Sequence, residues 1–365
     1  MVNIGGLMKR PAPLAFKPDL EMAAKRWEAF YAGDIIDRPL VCVTAPKKGA
    51  KGLTGSWSDY YERVNGDMDE IIDRTLRCGE ATFYGGESIP SFGITFGPDE
   101  TAIFCGGELR WSKDSYGTNW STPFVENWKK VLPLKVREDN PLWRRMLEFY
   151  KRAVNKMAGK MLVSLPDFHT NMDLLAAIRG PEKLCMDLAD MPEMIDEAMK
   201  SARQVFPVVW DAVKKAGRMD ELGYFQCMYS MEGAAMLQCD FSAMISPAMF
   251  RKWVLPALEE EAGIVKHVFY HWDGPSALVH EKDIIASKGL FLLSYVPGEG
   301  HGNHIRHLDL LKRLQAQGKA VHAGGSIDDI KAMHKDLRPE KVMYETWAPT
   351  QDDAQELLDW LVKNT

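Results

Sequence analysis

No stretch of this chain stays apolar for the ~18 residues that a bilayer crossing takes. The opening Met-Val-Asn-Ile-Gly-Gly also lacks the charged and then apolar pattern of a secretion signal. A cytoplasmic protein with no membrane partner is expected. Cysteine is sparse: the six (Cys42, Cys78, Cys105, Cys185, Cys227 and Cys239) are scattered without a C-x-x-C pair, which excludes a disulfide framework and points to a reducing compartment. Basic charge is in deficit, with a net charge of −6 and no Lys/Arg stripe interleaved with aromatics, so nucleic acid is not an expected partner. A dinucleotide fingerprint is missing as well. Gly298-Glu-Gly300-His-Gly302 has the wrong spacing for G-x-G-x-x-G and follows a late strand rather than the first.

What is present is an ordinary globular composition, 46% hydrophobic and 26% charged over 365 residues, enough for one large barrel or two smaller domains. The first part is rich in Gly, Trp and turn residues. It offers a helical stretch from Asp19 to Tyr31, a β-like run Pro39-Leu-Val-Cys-Val-Thr, a Gly/Lys-rich loop from Lys47 to Gly55, and a second helical stretch from Ser58 to Cys78. Short antiparallel strands are expected at Ile103-Phe-Cys and Glu108-Leu-Arg-Trp, with a turn at Tyr116-Gly117.

From Ala81 short apolar runs alternate with long amphipathic stretches. The runs begin at Ala81, Lys160, Leu222, His267, Leu290, Ala320 and Lys341. Helices are expected over 140–158, 192–216, 246–265, 307–317 and 351–362. Repeated β/α units with near-continuous apolar strands mean a parallel sheet, and the pattern predicts an α/β fold, a (β/α)8 TIM barrel over 81–365 with an irregular N-terminal elaboration over 1–80.

In such a barrel chemistry belongs at the carboxyl ends of the strands. That rule selects Asp167, His169 and Asn171; Tyr229, Ser230 and Glu232; His271 and Asp273; Glu299 and His301; Gly324, Gly325 and Ser326; and Glu345 with Thr346. His271-Trp-Asp273-Gly274 stands out. A His and a carboxylate at i and i+2 share one face of an extended segment and can converge on an ion, or the Asp can simply orient the His. Asp167 and His169 are candidate acid–base groups, as is Glu299 between two glycines that let a substrate approach. Gly324-Gly325-Ser326 at a helix start could bind a substrate carboxylate or phosphate through backbone N–H groups, or form a plain turn. Trp272 and Trp347 are candidate walls for a flat substrate. His301, His304 and His307 form an H-x-x-H-x-x-H run that is either a rival metal site or a polar loop entering a helix.

Several segments carry a family resemblance: Leu174-Leu-Ala-Ala-Ile-Arg-Gly180 with Pro181-Glu, Leu184-Cys-Met-Asp-Leu-Ala-Asp-Met-Pro-Glu193, and Met244-Ile-Ser-Pro-Ala-Met-Phe250 with Val254-Leu-Pro256. In order and spacing they resemble the uroporphyrinogen decarboxylase superfamily, which includes porphyrinogen decarboxylases and metal-dependent methyltransferases feeding corrinoid or thiol acceptors. The methyltransferase branch carries zinc on His-x-Cys-Gly and on a distal Cys near Ala-Pro. Aligned so, the resemblance implies a metal triad of His271, Asp273 and Glu345, with two carboxylates in place of two thiolates. Such a set suits zinc, and its hardness also admits manganese or iron. The decarboxylase branch uses an N-terminal arginine pair; Arg10-Pro11 and Arg38-Pro39 lie in the wrong context, and Gly85, Gly86 and Glu87 stand where an Asp is wanted.

The resemblance therefore implies a metal-dependent methyltransferase that moves a methyl group from a small O- or N-methylated compound to a thiol or a corrinoid protein. A homodimer is a family-level expectation. The alternatives are a decarboxylase or lyase on a small carboxylated substrate, and a ligand-binding barrel without turnover.

Overall fold

The computed structural model describes residues 10–50, 57–111 and 118–365. The turn at Tyr116-Gly117 and the part of the Gly/Lys-rich loop beyond residue 50 lie outside them. Thirteen strands are present among the described residues: β1 (Leu40–Pro46), β2 (Thr82–Gly86), β3 (Ser91–Gly93), β4 (Leu109–Trp111), β5 (Asn119–Ser121), β6 (Leu162–Ser164), β7 (Tyr224–Gln226), β8 (Met228–Ser230), β9 (Ala234–Gln238), β10 (His267–Asp273), β11 (Leu292–Val296), β12 (Ala320–Gly324) and β13 (Val342–Trp347). A seven-stranded sheet runs β2-β1-β13-β12-β11-β10-β9, parallel throughout except where β2 returns along β1.

Four short contacts close this sheet into a ring. β3 pairs in parallel with β6. Leu165, just past β6, donates its N–H to the carbonyl of Phe225 in β7, and the Gln226 side chain accepts the N–H of Met236 in β9 at 3.0 Å. On the other flank Glu87 N–H and Ser88 Oγ, ahead of β3, reach the carbonyls of Val41 and Val43 in β1. The result is the expected α/β barrel. Helices Pro141–Lys156, Val205–Ala216, Leu255–Ile264, Leu308–Ala316 and Gln351–Asn364 flank it. Their ends are chemically marked: Asn140 caps the first with Pro141 in the opening turn, and Thr350 with Asp353 forms a capping box on the last.

The differences from the sequence reading have local causes. β1 lies inside the stretch expected as an elaboration, yet it pairs with β13 in parallel from Leu40↔Met343 to Thr44↔Trp347, so the barrel begins at Leu40. Ile103 and Phe104 belong to helix Glu100–Phe104 rather than a strand, all of it buried; a short apolar run carries no periodicity that separates the two. Glu108-Leu-Arg-Trp does form a hairpin strand, β4 against β5. The run from Leu222 divides at Cys227, whose φ of +58° reverses the chain, so that β8 folds back on β7. The strand that aligns with β10 is β9, Ala-Ala-Met-Leu-Gln, which contains no β-branched residue to announce it. No helix among the described residues is long and apolar enough to cross a membrane, and no two of the described cysteines form a disulfide.

The end of the barrel away from the strand carboxyl termini is held by a buried ion pair. Arg38 donates to Glu87 Oε2 at 2.7 Å and to Oε1 at 2.9 Å, and Glu87 also accepts from Val41 N–H at 3.0 Å. Both side chains are out of solvent, so Arg38 is a structural residue and reaches no substrate. Arg26, 3.5 Å from Glu87 Oε1, and Val41 N–H would still answer the carboxylate, so Arg38→Ala should lower the unfolding free energy by about 3 kcal/mol, the lower end for a broken buried pair. Arg38→Met paired with Glu87→Gln should recover much of that loss. Urea unfolding of the two variants checks it, and equal stability of Arg38→Ala and wild type would refute the assignment.

Candidate active site

The parallel register of β9 to β12 sets the floor of the mouth. Gln238 pairs with His271, His271 with Ser294, and continuation of the β11–β12 pairing (Leu293↔Val321) brings Ser294 beside His322. Four polar side chains thus stand side by side on neighbouring strands where an all-core barrel would carry apolar ones. One step further along the strands lie Asp240, Asp273, Gly324 and Glu345.

One flank of the mouth is a carboxylate–imidazole cluster. His169 lies between Asp167, 3.4 Å from its Nε2, and Asp173, 3.6 Å from its Nδ1. Gln238 donates to Asp167 Oδ1 at 2.5 Å. Burial works against charge on His169, but the adjacent Asp167 and Asp173 carboxylates outweigh it and raise the imidazole to about 10, so it is an imidazolium at neutral pH. Burial likewise pushes Asp167 up, and His169 with Gln238 more than reverses this, leaving it below the usual carboxylate range. Asp173 accepts the backbone N–H of Asp240 at 3.0 Å and of Phe241 at 2.8 Å, which fixes the end of β9 against the cluster.

Asp240 has the opposite balance. Burial, then the negative charge of Asp173, raises its carboxyl to about 7, with His169 only partly offsetting them, and its buried Oδ1 has no hydrogen-bond partner. It is a protonated acid at mildly acidic to neutral pH. His271 is held below the usual imidazole range by burial, partly countered by Asp273, and is therefore neutral. The charges that act most strongly on Asp167, His169, Asp240 and His271 are one another and the neighbouring Asp173 and Asp273; none is a lysine or an arginine.

The support behind the cluster is unusual. Asn171 sits in the left-handed region at φ +48°, which Asn tolerates better than most residues, and its amide reaches the carbonyl of Gln238 at 3.1 Å. Thr170 donates to the buried Glu261 at 2.6 Å. Burial pushes Glu261 up to about 8. The loop that carries His169 is thereby tied both to β9 and to helix Leu255–Ile264.

The other flank is a hydrogen-bonded chain. Ser294 Oγ lies 2.9 Å from His322 Nδ1, and His322 Nε2 lies 2.9 Å from Glu345 Oε2. Glu345, exposed at the strand end, is held below the usual carboxylate range by the His322 hydrogen bond, which outweighs its partial desolvation. Behind it His304 uses both ring nitrogens on the backbone: Gly324 N–H donates to Nδ1 at 3.0 Å and Nε2 reaches the Tyr295 carbonyl at 2.9 Å.

Of the residues expected to act, Asp167 and His169 are brought together. His271 and Asp273 stand 4.0 Å apart, while Glu345, the third implied ligand, is bound to His322 instead. Among the described residues no three His, Cys, Asp or Glu side chains form a group that could hold a metal. The three residues therefore do not fit one donor set; His271 and Asp273 are the pair left to an ion. The H-x-x-H-x-x-H run does not converge either, since His307 bonds the carbonyl of His301 and His304 is committed as described. Glu299 is exposed at the tip of a turn between Gly298 and Gly300, both at positive φ, with no hydrogen bond or ion pair to the cluster among the described residues.

The substrate-contact expectations divide sharply. Trp272 is 0% exposed and donates to the Ala277 carbonyl, and Tyr229 is buried behind the reversal at Cys227, with its hydroxyl against Met231; neither can wall a substrate. The N–H groups of Gly324, Gly325 and Ser326 are already taken by His304, by the Glu345 carbonyl and by Asp329, so this turn offers no anion cradle. Trp347, 61% exposed at the end of β13, remains free to contact a ligand. Missed in the sequence were Asp173, Gln238, Ser294 and His322. Asp173 carried one usable signal, its i+4 spacing from His169; the other three lie within strands and were indistinguishable from core.

No family model matches the chain, and no curated protein matches it in sequence. Among solved structures it is similar to a methyltransferase from Methanosarcina mazei, with 14% sequence identity, a TM-score of 0.62, and coverage of 93% of this chain and 98% of that one. A likeness at that identity is one of fold, and it extends over essentially the whole barrel.

Proposed function

We propose that this barrel is a methyltransferase that takes a methyl group from a small O- or N-methylated compound and passes it to a thiol or corrinoid acceptor. The observation that carries the reading is Asp240, a largely buried carboxylic acid raised to about 7 at the strand ends. A methyl group leaves oxygen or nitrogen only if the departing atom is neutralised, and a positioned acid supplies the proton. The whole-chain likeness to a methyltransferase supports the same reading. The imidazolium of His169 keeps Asp167 ionised and orients the loop, while neutral His271 can accept a hydrogen bond from substrate. Trp347 lies at the strand end where it would flank a flat donor.

A lyase acting on a carboxylated substrate is less well supported. It needs a cationic clamp, and the cluster is dominated by carboxylates while Arg38 is spent on Glu87. A divalent ion, when bound, would supply Lewis-acid polarisation of the donor heteroatom. Since the implied triad is not gathered, no step is assigned to it.

Two outcomes are expected. With methoxy and methylamino donors screened against thiol and corrinoid acceptors, kcat/KM should fall as pH rises through about 7, because the raised Asp240 carboxyl is active only while protonated. Asp240→Asn should lower the rate by about 100-fold and remove that alkaline limb. A limb unchanged in Asp240→Asn would sink the assignment. In a calorimetric Zn²⁺ titration, His271→Ala should abolish whatever binding wild type shows, whereas Glu345→Ala should leave it nearly unchanged. Equal loss in both variants would restore the three-residue site.

A further inference from the structure

Resting on the methyl-transfer reading, we infer that Glu345 is the base of this site and that His322 and Ser294 are positioning residues that hold it ionised and aimed into the mouth. The hydrogen bonds assign the protons. An ionised carboxylate only accepts, so His322 Nε2–H donates to Glu345 Oε2 at 2.9 Å. In the Nε2–H tautomer Nδ1 accepts, and Ser294 Oγ–H donates to it at 2.9 Å. One tautomer satisfies every group in the chain.

Ser, His and Glu joined in this order resemble a nucleophilic triad, but exposure runs the other way. Ser294 is 3% exposed and lies deep in β11, whereas the Glu345 side chain is 59% exposed at the end of β13. The serine can attack nothing; the carboxylate is the end that meets substrate. Around Glu345 stand His322 on β12, His304 on the turn after β11, Cys42 on β1 and Cys227 between β7 and β8. His304 has both ring nitrogens committed to backbone, and burial holds both thiols protonated, so among the described residues there the carboxylate is the group with lone pairs open to the mouth.

This assigns the class of acceptor. A thiol must lose its proton to attack, whereas a reduced corrinoid cobalt has none to lose. In the balanced step the thiol S–H proton passes to Glu345 and the sulfur electron pair forms the new S–CH₃ bond. The CH₃–O or CH₃–N bond breaks, and its electron pair stays on the donor atom, which takes the Asp240 proton. The geometry thus divides the mouth into an acid flank at β9 and a base flank at β12 and β13.

The test uses the full chain labelled with [¹⁵N]histidine. Long-range ¹H–¹⁵N correlation, assigned by the signal lost in His322→Gln, should show His322 neutral with its proton on Nε2, and Ser294→Ala should perturb Nδ1. A proton on Nδ1 overturns the relay whatever the protein catalyses. With 2-mercaptoethanol as acceptor, Glu345→Gln should lower kcat at least 100-fold with KM little changed. The acid limb of kcat/KM should move to higher pH in His322→Ala, and less in His322→Gln, which keeps a donor to Glu345. Full rate in Glu345→Gln, or an unmoved limb in His322→Ala, overturns the base assignment. If the Nε2 tautomer is found but no donor yields methyl transfer, the methyl-transfer reading fails and the relay stands.

Discussion

Parallel pairing without slippage from β9 to β13 is the constraint on which the rest of this protein hangs. In a strand ladder neighbouring residues share a face, so the chemistry of one strand end is decided jointly with that of the strands beside it. His271 meets Gln238 on one side and Ser294 on the other because three strands keep one register. A one-residue slip in β10 would send His271 outward and bring Trp272, now fully buried, into the mouth. The acid flank and the base flank are therefore not separate inventions but two arcs of the same row.

The buried polar groups behind that row explain why it can be charged at all. Carboxylates close together in a dry cleft repel one another, and each must be answered by a donor or a proton. Asp173 is answered by two backbone N–H groups, Asp167 by Gln238 and His169, and Glu261 by Thr170 and Asn171. Asp240 is the one whose buried oxygen lacks an answer, and its raised affinity for a proton is the physical consequence. Structure and reactivity are here one balance of charges.

Much of the architecture was legible from residue pattern because parallel strands buried on both faces read as apolar runs, and those at Lys160, His267, Leu290, Ala320 and Lys341 all contain strands. β9 escaped because alanine and methionine carry no strand preference, and the assignment of Tyr229 to the mouth failed for a related reason: a left-handed Cys227 turns the chain back, and nothing in the residue type of a cysteine announces positive φ. In the site, Asp167 and His169 were visible because they follow a strand directly. His322 and Ser294 were not, since a polar residue inside an apolar run reads as a tolerated core position until its neighbours across the sheet are known. Glu345 was placed at a strand end, but its bond to His322 was not legible, because spacing along the chain says nothing of which imidazole lies across the ladder.

The β11–β12 ladder pairs only Leu292↔Ala320 and Leu293↔Val321, and above that point the two strands are joined by His304 through Tyr295 and Gly324. Its Nδ1 also lies 3.1 Å from the Gly324 carbonyl, so the ring bridges the two strands through backbone groups of both. Burial depresses His304 to about 4, below its unfolded value near 6.5, so the cost of keeping it neutral accumulates as pH falls from about 6.5 toward 4. Acid therefore weakens this barrel first at a joint between two strands of its rim, in the wall that carries Ser294 and His322.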